Sequence, residues 1–165
     1  MSAKSGLPVE SANEGGRSQI VVVNRQRGIA VDVLALRVFA ERALSEVMKL
    51  PAAAVLPQEI NVVLVADRRI RRIHQDFMGL DSSTDVITFQ HGDIVLSVET
   101  ARRQATQYRS NLTHEVQLYV IHGLLHLCGY DDRTAAGRGE MNRLQEEMLG
   151  RLTATVRSPR GGRCR

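Results

Sequence analysis

The chain predicts one α+β domain, a mixed four-stranded sheet packed with about five helices. Three observations carry the prediction. Four short runs have the length and composition of strands: Ile20 to Val23, Ile60 to Ala66, Thr84 to Phe89, and Asp93 to Ser97. Between and after them, apolar residues recur at spacings of three and four, which is the period of a helix. The resulting order, β-α-β-α-β-β-α-α-α, describes a mixed sheet with helices packed against it.

The 165 residues suffice for a single sizeable core, and 43% hydrophobic with 24% charged residues is ordinary for a globular protein. Residues 1–18 are rich in Ser, Gly, Glu and Ala and lack periodic apolar positions, so a flexible leader is expected. The folded body is expected over 19–152. A basic disordered tail follows at 153–165, where Arg157, Arg160, Arg163 and Arg165 meet no acid. That tail accounts for the whole net charge of +4, so the body sums to zero and total charge does not argue for a nucleic-acid partner. No apolar run reaches the ~18 residues of a membrane span, and no secretory signal pattern opens the chain. Two cysteines, Cys128 and Cys164, make no disulfide framework, and a cytoplasmic location is expected.

Each element has its own reason. After the Ile20–Val23 strand, Val33, Leu36, Ala40, Leu44 and Val47 trace an amphipathic helix that Pro51 ends. Asp67 is read as the cap of the next helix, in which Ile70, Ile73 and Phe77 mark one face and Arg68, Arg69, Arg71 and Arg72 the opposite one. Such an arginine run is usually a solvated face; its functional reading is a phosphate-contacting patch. Gln90-His91-Gly92 makes a tight connection between two strands. Val98, Ala101, Ala105 and Tyr108 form a short helix, Asn111 or Thr113 caps another, and Met141, Leu144, Met148 and Leu152 trace the last.

The stretch His122-Gly-Leu-Leu-His126-Leu-Cys-Gly129-Tyr-Asp-Asp132 carries the chemistry. Histidines four residues apart leave one face of a helix a turn apart, the spacing that grips one metal ion with two nitrogens. Gly129 marks the helix stop, from which the chain can return Asp131 or Asp132 as a carboxylate ligand. The surroundings, from Val116 to Leu127, are apolar on nearly every side, which predicts a buried helix. Unsatisfied imidazoles there would be costly, and a cation satisfies them. A metal of this kind makes a bound water more acidic and polarises carbonyl or phosphoryl oxygens, so hydrolysis is the natural reaction class. A metallopeptidase would place glutamate after the first histidine; position 123 is glycine, which disfavours peptide hydrolysis by that route.

His122-Gly-x-Leu-His126-Leu-x-Gly129-Tyr-Asp resembles the signature of the YbeY family of bacterial endoribonucleases. Thr84-Asp-Val-Ile-Thr-Phe resembles that family's T-D-V-L-S-F strand, and Gly92-Asp-Ile-Val-Leu-Ser its G-D-I-x-x-S strand. His114-Glu115 fits as well, and the likeness spans roughly Ile60 to Met148. The resemblance implies a compact α+β fold with a zincin-like metal helix and one zinc ion held by His122, His126 and Asp132. It implies a zinc-dependent endoribonuclease specific for single-stranded RNA. The implied work is ribosomal RNA maturation, including the 3′ end of 16S rRNA, and ribosome quality control. RNA and ribosomal subunits are the implied partners, with no small-molecule cofactor.

Two positions depart from the family's pattern. Asp132 stands where the family usually has a third histidine, and its charge cancels one of the cation's two, so a water at the metal is expected to be less acidic. Met78 stands where many relatives carry arginine, and methionine cannot steady a phosphate; Arg133 is the candidate substitute. Cys128 is expected to pack in the core. His91 either approaches substrate or is an exposed turn residue; His74 and His114 are read as structural, and Asp85 as a loop anchor. Two rival readings remain from other classes. One is a zinc-stabilised ribosome-assembly binding protein without catalysis. The other is a non-haem iron oxygenase, which also uses two histidines and a carboxylate.

Overall fold

The computed structural model describes residues 18–79 and 84–154. Most of the expected leader, all but the first residue of the loop expected over 79–83 and nearly all of the expected tail lie outside the described residues. The four strands form one sheet: β1 (Gln19–Asn24), β2 (Glu59–Val65), β3 (Val86–Thr88) and β4 (Asp93–Ser97). Their order is β1-β2-β4-β3, with β1/β2 and β2/β4 parallel and the β3/β4 hairpin antiparallel. The helices are α1 (Val33–Val47), α2 (Asp67–Met78), α3 (Val98–Gln107), α4 (Leu112–Leu127) and α5 (Ala135–Ala154), with a short 3-10 turn at Pro51–Val55. The mixed α+β architecture expected from the sequence is the one observed.

Side chains alternate across a strand, so the sheet has two different faces. Ile60, Val62, Leu64, Ile94 and Leu96 point into the large core built with α1, α4 and α5. Val65, Val95 and Ile87 point the other way and meet Ile70 of α2 in a second, smaller core. Helix α4 lies in the large core with Val116, Val120, Ile121, Leu124, Leu125 and Leu127 buried, as an all-round apolar helix must. It approaches β4 closely because residue 123 is glycine. A Cβ there would lie 2.5 Å from Cγ2 of Ile94. The glycine that replaces a metallopeptidase's glutamate is therefore also a packing requirement, since a longer side chain at 123 would enter the sheet.

The predicted faces need three corrections. Phe77 is 71% and Tyr108 64% exposed, because both stand at the last turn of their helices, beyond the reach of the sheet. Arg69 does not face away from the apolar row but joins Ile73 along a groove on the sheet. Asp67 does not cap α2. Ala66 holds the cap position without a side-chain bond. The carboxylate of Asp67 instead accepts from Ser97 Oγ, from Thr100 Oγ1 at 2.8 Å and from Arg103 Nη1 at 2.5 Å. The parallel register explains this. Val65 pairs with Ser97, so the residues that follow β2 and β4 emerge side by side. Glu99 returns the contact by accepting from the Asp67 N–H at 2.6 Å.

Burial acts to raise the Asp67 carboxyl, but the bonds from Arg103, Ser97 and Thr100 outweigh it and hold the pKa below the ordinary 3.8. A depressed carboxyl stabilises the fold above its unfolded pKa, and that contribution is lost as pH falls through the folded value. Asp67→Asn should thus lower the urea midpoint at neutral pH. The gap from the parent should close as pH drops below 3.8, and a gap unchanged with pH would count against the bonding described.

Candidate metal centre

Helix α4 starts at Asn111, whose Oδ1 accepts from the His114 N–H at 2.9 Å, which settles the cap between the two sequence candidates. It ends in a Schellman turn. Tyr130 N donates to Leu125 O at 3.1 Å, Gly129 N donates to His126 O at 2.9 Å, and Gly129 sits at φ +90°. The turn has two consequences. It points the Tyr130 carbonyl at His126, and it sends the next residues back over the histidines.

His122 and His126 sit at the edge of the core rather than inside it, with side chains 22% and 24% exposed. The sequence reading of a dry surround is corrected accordingly, since one face of α4 borders solvent. Their Nε2 atoms lie 2.9 Å apart. Asp132 places Oδ2 at 3.7 Å from His122 Nε2 and Oδ1 at 3.8 Å from His126 Nε2. One ligand atom from each of the three residues lies within 4.8 Å of the others, a group that could hold a metal ion. Tetrahedral ligands at about 2.1 Å from an ion stand about 3.4 Å apart. The 2.9 Å between the imidazoles and the 3.7 and 3.8 Å from them to the two carboxylate oxygens lie on either side of that value, so the donor types and spacing suit a small cation.

The far nitrogens fix the tautomers. His126 Nδ1 is 3.0 Å from the Tyr130 carbonyl, which only accepts, so Nδ1 carries the proton and Nε2 presents a lone pair. His122 Nδ1 is 2.7 Å from Gln145 Oε1 and is oriented in the same way. Burial and the neighbouring His122 push the His126 imidazole below its usual pKa, which favours the neutral, ligating form. Two lone pairs thus face each other at 2.9 Å, an arrangement that a shared cation relieves.

Of the two candidate aspartates, Asp131 is engaged elsewhere. It accepts from Arg133 Nε at 2.7 Å and from Arg133 N at 3.0 Å. That contact also occupies Arg133, the residue proposed from sequence to replace the missing arginine. Asp132 is positioned by its backbone: Arg138 Nη1 donates to its carbonyl at 3.1 Å. Gly137 packs under the same loop, where a Cβ would lie 2.0 Å from the Asp131 carbonyl oxygen. Sequence reasoning missed Gln145, Arg138 and Gly137. Gln145 had one faint signal, an amide beside the buried stripe of Leu144 and Met148. Replacing Gln145 with leucine should weaken divalent-metal binding about 10–100-fold while leaving the fold intact, as a competing chromogenic chelator would read.

His122 opens onto a cleft of about 620 Å³ lined also by Asp85, Tyr108, Glu115, Tyr119 and Gln145, among others. Asp85 is a loop anchor, accepting from Val86 N at 2.8 Å, and also a wall of this cleft. His114 lines it too, which the sequence did not foresee. Burial, Asp85 and Glu115 together push the Tyr119 hydroxyl far above its usual pKa, and its Oη donates to Gln104 Oε1 at 2.6 Å. Among the described residues, the lining holds no lysine or arginine. Cys128 packs in the core as expected, its thiol pushed up to about 11 by burial. His91 stands on the exposed turn beyond β3, outside the cleft lining.

The chain is similar to proteins that share one name. The family model described as Endoribonuclease YbeY matches residues 21–153. A protein of Pelotomaculum thermopropionicum named Endoribonuclease YbeY is 35% identical over 151 residues, covering 82% of this chain and 98% of that one. One of the same name from Moorella thermoacetica is 36% identical over 110 residues, covering 55% of this chain and 70% of that one. The solution structure of TM1509 from Thermotoga maritima superposes with a TM-score of 0.61 at 26% identity, over 88% of this chain and all of that one. A match of the family model across both sheet and metal helix, with a relative aligned over nearly its whole length, leaves one assignment: the chain belongs to the YbeY endoribonuclease family.

Proposed function

We propose that this chain is a metal-dependent endoribonuclease that cleaves single-stranded RNA, with His122, His126 and Asp132 holding one zinc ion. The observation that carries the reading is the pair of imidazole Nε2 atoms 2.9 Å apart beside the Asp132 carboxylate, with His122 on the wall of a cleft. Two imidazoles and a carboxylate suit zinc, and when bound the ion supplies Lewis acidity toward a phosphoryl oxygen and a more acidic water. The chain's own residues do the rest. Gln145 and the Tyr130 carbonyl hold the imidazole tautomers, and Arg138 and Gly137 hold the loop that carries Asp132. The relatives' name supports RNA as substrate. We place its work in ribosomal RNA maturation and ribosome quality control, in the cytoplasm; no helix among the described residues is long and apolar enough to cross a membrane.

His122→Ala tests the enzyme reading. A variant that stays folded and loses cleavage supports it; unchanged cleavage overturns it. Product ends identify the attacking group, since a 2′,3′-cyclic phosphate means the ribose hydroxyl attacks. One observation favours a second reading, a zinc-stabilised assembly factor without catalysis: Met78 stands where an arginine is expected, and the described cleft lining has no arginine of its own. Retention of ribosome binding by a wild-type protein that cleaves no RNA would favour that alternative. Metal analysis of protein purified without added metal separates zinc from the iron of an oxygenase.

A further inference from the structure

The sheet face opposite α4 carries groups that the metal centre does not use. A groove of about 720 Å³ crosses it, floored by Val23, Val63, Val65 and Val95 and flanked by Arg25 and Arg69. Arg69, Ile73 and Phe77 stand at successive spacings of four on α2, so they form one row that rises about 12 Å along the helix. Arg69 and Ile73 line the groove, and Phe77 continues the row one turn further. There it meets Phe89 edge-on, with ring centroids 5.2 Å apart, and Phe89 in turn stacks on His91 at 5.5 Å. His91 is held in place: its Nε2 is 2.9 Å from Asp93 Oδ2, and Asn61 Nδ2 donates to the other oxygen of Asp93 at 3.0 Å. Phe77 and His91 nevertheless remain widely exposed. The result is an exposed aromatic ladder next to a groove with guanidinium groups on its flanks.

We infer that this ladder and groove are a second contact surface for single-stranded RNA, on which an unpaired nucleobase stacks against Phe77 or His91 while Arg69 and Arg25 meet phosphates. Base faces and phosphates are what aromatic rings and guanidinium groups recognise in a single strand, and bases inside a duplex offer no free face. The connection to the metal centre runs through β3. Asp85 and Val86 line the cleft of His122, and Phe89 follows the same strand at its other end, about 13 Å further along. A strand several nucleotides long reaches both sites by crossing this sheet edge. The surface also supplies what the cleft lacks, since the described cleft lining has no lysine or arginine. For its substrate class this inference rests on the proposed RNA cleavage.

The test uses the full chain with two probes of about twelve nucleotides: a labelled single-stranded DNA, read by anisotropy, and RNA of the same sequence, read by steady-state cleavage. Phe77→Ala and Phe77→Leu should each raise the Kd for DNA and the KM for RNA about tenfold, with kcat within about twofold, and Phe77→Trp should restore both. A merely apolar role would be satisfied by leucine. Arg69→Gln should weaken binding and reduce its salt slope by about one. Ala and Leu variants that bind and cleave like the parent would overturn the inference, leaving the face to a protein partner. So would a parent that binds neither probe. If the parent cleaves no RNA but the Phe77 variants still lose DNA affinity, the cleavage reading fails and the stacking surface stands.

Discussion

Replacing Asp132 with alanine is expected to lower divalent-metal affinity more than a hundredfold and to abolish RNA cleavage. A residue that only orients a ligand already costs about 10–100-fold when removed, and Asp132, within 3.8 Å of both imidazoles, is the ligand we propose. Its side chain is 40% exposed and packs no core, so thermal unfolding of the metal-free variant should match that of the metal-free parent. Asp132→His is the informative partner. It keeps three donors and removes the carboxylate charge from the centre, so metal binding and cleavage should persist while the pH–activity profile moves toward acid. Cleavage by Asp132→Ala at the parental rate, with metal still stoichiometric, would remove Asp132 from the site.

The second large effect is on stability. Gly92 closes the β3/β4 hairpin at φ +122°, a conformation that other residues rarely adopt. A Cβ there would stand 2.2 Å from the Glu59 carbonyl oxygen, a backbone atom of β2 that cannot swing aside. Strain and overlap together should cost Gly92→Ala about 2–4 kcal/mol. In a domain of this size that lowers Tm by about 5–15 °C. Gly139→Ala is the control. It lies in α5 with nothing within 4 Å of the added methyl, and alanine is the better helix former by about 1 kcal/mol. Calorimetry of the two variants should therefore move in opposite directions, and a tolerated alanine at 92 would contradict the close approach of hairpin and β2.

The two residues illustrate how far the sequence could be read. Gly92 announces a turn from sequence, because His91-Gly92 between β-branched runs has few other solutions. That its hydrogen side must also clear β2 follows from parallel pairing with a strand more than thirty residues earlier, as the register Asn61↔Asp93 records. Asp67 failed for a related reason. An acid before an apolar-periodic segment is a good local cap, but the register brought a better set of donors from α3 than its own helix offered. Phe77 was placed on an apolar face by periodicity alone, and the helix outruns the sheet before reaching it.

By itself the sequence determined what is local in space as well as in chain. It fixed the strand and helix order, the histidine pair one turn apart, the glycine that ends their helix, and the short return to an acid. Each is decided by side chains within a few residues of one another, where backbone preference and helical period act directly. Only the tertiary structure separates Asp131 from Asp132: Arg133 engages the first carboxylate, and the second lies beside both imidazoles. It alone brought Gln145 to His122 across 23 residues, set Phe77 against Phe89, and placed Arg69 on a groove of the sheet. Those contacts depend on how the layers stack, and stacking is a compromise among all the buried side chains at once, which no single stretch of chain encodes.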